Sequence, residues 1–204
     1  MWNKKKEGKI FIISGPSGSG KTTLKQKILS CKDINFTYSI SYTTRKPLKG
    51  EKNKKDYFFV SEEVFLSKVQ HKDFLEYANV YGYYYGTDKA YVSSILKKGH
   101  NVLIDVDIQG ASKLKKLKSF KAVYIFILPP SLSELKKRLE KRKRDNKKEI
   151  AKRMKVAIKE INQAKKHYEY CIINKNIKNM VEDIRAIISA ELLKSSQYNF
   201  KEQL

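Results

Sequence analysis

Gly15-Pro16-Ser17-Gly18-Ser19-Gly20-Lys21-Thr22 decides how the rest of this chain is read. It is a complete G-x-x-x-x-G-K-[ST] phosphate loop, and its flanks supply the context that the pattern requires. Before it, Lys9-Ile10-Phe11-Ile12-Ile13-Ser14 is a short apolar run suited to a buried strand. After it, Thr23 to Leu29 carries helix formers, with Leu24, Ile28 and Leu29 apolar. Glycines in such a loop let backbone N–H groups converge on phosphate oxygens, and the N-terminus of the next helix adds partial positive charge. Lys21 is placed to reach the β- and γ-phosphates of a nucleoside triphosphate, and the Thr22 hydroxyl to ligate Mg²⁺. The expected triphosphate-binding set is Gly15, Pro16, Ser17, Gly18, Ser19, Gly20, Lys21, Thr22 and Thr23.

The length of 204 residues allows one α/β domain with inserted subdomains but is short for two independent cores. No apolar run approaches the ~20 residues of a membrane span. The start, Met1-Trp2-Asn3-Lys4-Lys5-Lys6, lacks a secretory h-region. Cys31 and Cys171 have no metal or redox spacing and read as buried thiols in a reducing compartment. A cytoplasmic protein is expected. The formal net charge of +23 raises the question of a nucleic-acid partner. Its lysines are scattered through the chain rather than gathered in one block, and no nucleic-acid-binding motif accompanies them. No dedicated nucleic-acid partner and no membrane association are therefore expected, and the chain reads as a monomer or weak dimer.

Working outward from the loop, Ile10–Ser14, Val102–Val106, Val123–Leu128 and Tyr170–Asn174 are near-continuous apolar runs. Such runs suit parallel strands covered on both faces. Periodic segments between the later ones imply a doubly wound α/β core, a phosphate-loop parallel sheet with helices on both faces. Two stretches break the rhythm. Residues 40–88 are rich in Tyr, Thr and Phe and suggest a small, partly β insertion between the first helix and the next core strand. Residues 131–157 are dominated by Lys and Arg. Ser131 and Glu134 have capping-box spacing, and Leu132, Leu135 and Leu139 form a thin apolar stripe that suggests a mobile element. Ile150, Met154, Ala157, Ile158, Ile161 and Ala164 then mark a longer amphipathic helix, and residues 180–194 repeat the period.

Several ordered motifs fill the insertion and its neighbourhood: Ser41-Tyr42-Thr43-Thr44-Arg45-Lys46-Pro47-Leu48-Lys49-Gly50-Glu51, then Asp56-Tyr57-Phe58-Phe59-Val60, then Phe74-Leu75-Glu76-Tyr77-Ala78. Tyr84-Tyr85-Gly86-Thr87 and Ile104-Asp105-Val106-Asp107-Ile108-Gln109-Gly110 follow. With the phosphate loop, they make the chain closely resemble the guanylate kinases, enzymes that transfer the γ-phosphate of ATP to GMP. The resemblance runs from the first strand to Tyr170–Asn174. It implies a core at 1–39, 89–130 and 158–204, a GMP-binding subdomain at 40–88 and a helical lid at 131–157. It further implies that Arg45, Tyr57 and Tyr85 hold the acceptor phosphate while Ser41, Glu76, Thr87 and Asp107 read the base. ATP and Mg²⁺ are the implied cofactors.

Guanine chemistry agrees with those residue types. Its N1–H and N2–H₂ are adjacent donors that match a carboxylate such as Glu76, whereas adenine presents a lone pair at N1. A site of buried acceptors rejects a ligand that cannot pair with them. Ser41 and Thr87 are able to donate to O6, which adenine replaces with an amino group. One position departs from the family pattern. Leu48 stands where a second phosphate-gripping arginine is usual, and leucine cannot form a bidentate phosphate clamp. Weaker GMP binding than in arginine-bearing relatives is expected.

Phosphoryl transfer requires positioning and charge neutralisation, and a phosphate nucleophile needs no general base. His71, His100 and His167 are accordingly read as ordinary residues. The catalytic set implied is Lys21, Arg45 and the lid arginines Arg138, Arg142 and Arg153. Asp105 ends its strand like an acid that holds an Mg²⁺-bound water, although capping of the next helix is an equal alternative. Other readings of the same motifs are a kinase for a different nucleoside monophosphate and a kinase-like protein-interaction scaffold. A regulatory GTPase is disfavoured because Ile173-Asn174-Lys175-Asn176 lacks the aspartate of the guanine motif.

Overall fold

The computed structural model describes residues 3–4, 7–31, 35–117, 120–141 and 146–199. In chain order, β1 (Asn3–Lys4), β2 (Ile10–Ser14), α1 (Lys21–Leu29) and β3 (Phe36–Tyr38) precede β4 (Tyr42–Thr43), β5 (Phe58–Phe59), α2 (Glu62–Gln70), β6 (Phe74–Val80) and β7 (Tyr83–Asp88). Next come α3 (Lys89–Lys97), β8 (Asn101–Asp105), α4 (Ile108–Lys116), β9 (Ala122–Leu128) and α5 (Leu132–Lys141). The chain continues through α6 (Lys147–His167), β10 (Tyr170–Ile173), α7 (Ile177–Leu192) and β11 (Tyr198–Asn199).

The core sheet has the order β10-β9-β2-β8-β3, with every pairing parallel. Side chains alternate across a strand, so successive residues of β2 serve two different cores. Ile10 and Ile12 pack with Val92, Leu114 and Ala164 from α3, α4 and α6. Phe11 and Ile13 pack with Leu24, Ile28, Met180 and Ile184 from α1 and α7. The fold is thus a phosphate-loop α/β sandwich, with β2 central and the loop leaving its carboxyl end.

Two departures from the sequence reading lie at the sheet edges. Strand β3 was not foreseen: three residues with Thr37 in the middle carry too little apolar pattern to register. Cys171, read as buried, is exposed. It lies on edge strand β10, where Ile172 is covered by the α7 side of the core but its neighbours Cys171 and Ile173 face outward. Cys31 is partly buried. The same corner holds a buried acid: Glu191 receives Lys9 Nζ at 2.6 Å, Lys194 Nζ at 2.5 Å and the Tyr170 hydroxyl at 2.7 Å.

A separate four-stranded sheet, β5-β4-β7-β6, carries the aromatic motifs. Phe65 of α2 is fully buried on it, stacked on Phe74 at 4.7 Å and on Tyr84 at 5.4 Å. In α5, Ser131 Oγ accepts from Glu134 N at 3.1 Å, while the Glu134 side chain turns to Arg138 at 3.0 Å. Half of the capping box therefore forms. Two of the three residues of the thin stripe expected to leave this helix loose are packed: Leu135 and Leu139 are fully buried against Ile150, Met154 and Ala157 of α6, while Leu132 is exposed.

Candidate active site

Helix α1 begins differently from the other helices. Ser61, Asp88, Asp107, Asn146 and Asn176 each cap a helix with a side chain, but α1 starts at Gly20, which makes no such bond. Its leading N–H groups are left for an anion. Gly20 sits at φ 105°, and a Cβ there would lie 2.2 Å from Asn174 Nδ2. That same amide donates to Ser19 O at 2.7 Å, so the end of β10 braces the loop. Lys21 Nζ donates to Gly15 O at 2.6 Å, held at the mouth of the loop.

Two clefts flank this loop. One, of about 280 Å³, runs from Gly15, Lys21 and Thr22 past Asp105 to Ser41, Tyr57, Glu76, Tyr85 and Asp107. The other, of about 380 Å³, is lined by Gly18, Gly20, Thr23, Arg138, Lys141 and the Asn174–Ile177 turn. The loop is therefore a shared wall between two compartments.

At the far end of the first cleft, Glu76 is 6% exposed. Thr87 Oγ1 donates to its Oε1 at 2.7 Å. Burial pushes the Glu76 carboxyl up to about 7; the Thr87 bond and Lys113 pull against that, and Asp107 adds to it. A Cβ on Gly110 would stand 2.6 Å from Glu76 Oε2, so only glycine lets the first turn of α4 approach this closely. Thr87 is fully buried behind Glu76, and its one hydroxyl proton points at the carboxylate. Ser41 lines the cleft, whereas Thr87 stands behind Glu76 and holds its carboxylate. Asp107 Oδ1 caps α4 by accepting from Gly110 N at 2.8 Å. Capping therefore belongs to Asp107, not to Asp105.

Nearer the loop, Tyr57 and Tyr85 line the cleft with Arg45 behind them. Arg45 Nε donates to Tyr85 Oη at 3.2 Å, and its guanidinium lies 5.5 Å from the Tyr57 ring centre. Glu51, which the sequence reading left without a role, takes the Arg45 fork: Nη2 to Oε1 at 2.9 Å and Nη1 to Oε2 at 3.0 Å. Burial alone would lower the Arg45 pKa; the bonds from Glu51 and Tyr85 outweigh it and raise it. Glu51 Oε2 also receives Leu48 N at 2.7 Å, and the Leu48 side chain is 44% exposed.

Asp105, at the end of β8, is raised by burial, with Lys21 and Lys25 opposing. The arginines divide between the compartments. Arg138 donates to Asn174 O at 3.2 Å in the second cleft. Arg153 lines the first and donates to Ser17 Oγ at 3.4 Å, with the Tyr81 ring centre 4.8 Å away. Arg142 lies outside the described residues. A further residue missed in the sequence is Glu160, seven positions after Arg153 on α6, which lines the first cleft. Its only signal was that spacing: i and i+7 share a helix face. The Thr22 hydroxyl and the Asp105 carboxylate, both on the cleft wall beside Lys21, are hard oxygen donors of the kind that suits Mg²⁺.

A parallel sheet, a phosphate loop walled by two clefts and an inserted sheet facing one of them define a phosphate-loop nucleotide kinase. Residues 7–191 match the family model described as guanylate kinase. The chain is 46% identical to a guanylate kinase of Clostridium tetani over 91% of this chain and 87% of that one. It is 46% identical to one from Wolbachia pipientis, over 93% and 94%. The crystal structure of guanylate kinase from Anaplasma phagocytophilum superposes with a TM-score of 0.79 at 33% identity, covering 96% of this chain and 92% of that one. This chain belongs to the guanylate kinase family. Among the described residues no helix is long and apolar enough to cross a membrane.

Proposed function

We propose that this chain transfers the γ-phosphoryl group of ATP to GMP, giving ADP and GDP in purine nucleotide metabolism, with dGMP as a further acceptor. The observation that carries this reading is one continuous cleft with Lys21 and Thr22 at one end and the buried Glu76 carboxylate at the other. Residues 40–88 form the acceptor subdomain in this reading, and 131–157 the lid.

The acceptor base lies against Ser41, Glu76 and Asp107. Glu76 accepts from N1–H and N2–H₂ while Thr87 holds its other face, and Ser41 donates to O6. The acceptor phosphate rests on Tyr57, Tyr85 and Arg45, which brings its oxygen toward the loop. The donor phosphates lie in the Gly15–Thr22 loop, with Lys21 swung from Gly15 O onto them, and the donor nucleoside lies in the second cleft beside Asn174 and Arg138. Arg153 closes over the transferring group from α6. Thr22 and Asp105, the latter through water, would hold Mg²⁺, which supplies neutralisation of the β- and γ-phosphate charge. No side chain needs to take a proton, because the attacking phosphate oxygen is already anionic.

A coupled ADP-release assay with ATP and Mg²⁺ tests this, comparing GMP, dGMP, AMP, CMP and UMP as acceptors. Selective turnover with the guanine nucleotides supports the reading. Preference for AMP overturns the base assignment, and ATP binding without turnover on any acceptor overturns the enzyme.

A further inference from the structure

We infer that Glu160 accepts a hydrogen bond from a ribose hydroxyl of the acceptor nucleotide, and so makes the cleft prefer GMP to its deoxy forms. This rests on the acceptor assignment made above. It comes from matching the donors of GMP against the acceptors of the cleft. N1–H and N2–H₂ are answered by Glu76 and Asp107, which leaves the two ribose hydroxyls as the nucleoside donors without a partner. The acids of the cleft divide in a complementary way. Glu76 is oriented by Thr87, Asp107 caps α4, and Asp105 stands among Lys21 and Lys25. Glu160 lines the same wall, yet no hydrogen bond or ion pair ties its carboxylate to another of the described residues.

Its position suits a sugar. Seven residues along α6 is about 10.5 Å of rise, two turns on one face. Arg153 reaches the phosphate loop at Ser17, and Glu160 stands farther along, within electrostatic range of both Lys21 and Asp107. Those two residues mark the phosphate end and the base end of the cleft, and in a mononucleotide the ribose joins base to phosphate. Burial also pushes the carboxyl up to about 7, with Lys21 opposing and Asp107 adding. An acceptor this poorly hydrated gives up little water to an arriving hydroxyl, so the bond counts strongly in discrimination.

The test compares GMP, 2′-deoxyGMP and 3′-deoxyGMP at pH 8, where the carboxylate is ionised. It uses the full chain and its Glu160→Gln and Glu160→Ala variants. Turnover is read as kcat/KM, and binding is read separately by calorimetry without ATP. The wild type is expected to favour GMP over one deoxy form by roughly tenfold, the deoxy form naming the hydroxyl. Glu160→Ala should bring that ratio within about twofold of unity, and Glu160→Gln, whose amide oxygen still accepts, should keep an intermediate ratio, while ATP affinity is retained in both. General loss of packing would depress all three acceptors alike and leave the ratio standing. A wild type that treats the three equally, or a Glu160→Ala variant that keeps its ratio, overturns the assignment of Glu160. Absence of GMP turnover and binding in the wild type would instead defeat the acceptor reading itself.

Discussion

Arg45 and Glu51, six residues apart in one loop, are joined fork to fork at 2.9 and 3.0 Å, with Tyr85 on the Arg45 Nε–H at 3.2 Å and Lys46 O on Nη1 at 2.7 Å. The guanidinium plane is therefore fixed before a phosphate arrives. Paired geometry of this kind conveys direction as well as charge. Glu51→Gln keeps the size but loses the ionic grip, and it is expected to raise the KM for GMP about three- to tenfold, on the order of one kcal/mol. The KM for ATP should stay within twofold. A fall in the KM for GMP would instead show that Glu51 competes with the phosphate for Arg45.

Leu48 offers a gain-of-function test. Its backbone N–H is held by Glu51 and its side chain is exposed, so an arginine finds room beside Arg45. Leu48→Arg should lower the KM for GMP several-fold with kcat little changed, because it strengthens ground-state and transition-state binding together. An unchanged KM would mean that the flanking Lys46 and Lys49 already supply the charge.

Glu76 makes acceptor binding depend on pH. Burial holds its carboxyl near 7, against the pull of Thr87 and Lys113 and with the push of Asp107; on the proposed acceptor assignment, guanine requires the ionised form. Two N–H donors stabilise that form, so the bound pKa is lower than the unbound one. The KM for GMP should level off above about pH 8 and climb as pH falls through 7. Glu76→Gln should lower kcat/KM for GMP by about a hundredfold. It should also erase the rise between pH 7.5 and 6.5. Persistence of that rise in the variant would assign it to another group.

Glu191 serves stability rather than chemistry. Burial alone would raise its carboxyl, but hydrogen bonds from Lys194, Lys9 and Tyr170 bring it down to about 2. A depressed folded value stabilises the fold above the unfolded value of 4.5, and that contribution is lost as pH falls from 4.5 toward 2. Glu191→Gln should cost about 2 kcal/mol at neutral pH. A change of that size lowers Tm by about 4–8 °C in a chain of this length. The variant should also lose less stability than the wild type on acidification below pH 4.5. Equal acid sensitivity of the two would remove Glu191 from this role.

What could be read from the residues was mostly what neighbours in sequence decide together. The phosphate loop, its strand and its helix are consecutive, and Ser41, Glu76 and Thr87 lie on or beside one small sheet. Ser131 was legible as a cap for the same reason. Asp105 and Asp107 were not separable in advance, because which of them caps α4 depends on where the helix begins, and two residues decide it. Asn174, Glu51 and Glu160 acquire meaning only through packing: β10 brought beside the loop, a turn closed on Arg45, and α6 laid along the cleft. In the sequence Glu160 was one acid in a lysine-rich helix. Thr87 was recognised, but its bond to Glu76 was not, since that pairing comes from the register of β6 against β7.

Gly110 limits how this chain can diversify. The first side-chain atom at that position would meet Glu76 Oε2 at 2.6 Å, so even alanine moves the guanine-reading carboxylate or the helix that Asp107 caps. A library that randomises Ser41 and Glu76 in search of another purine would thus be screened against a wall already shaped for glutamate. A larger residue at 110 becomes tolerable only after position 76 has shrunk, which makes the order of substitutions matter. On the proposed acceptor assignment, substitution at Gly110 before Glu76 is shortened is expected to displace that carboxylate and weaken GMP binding, whereas the opposite order leaves room for it.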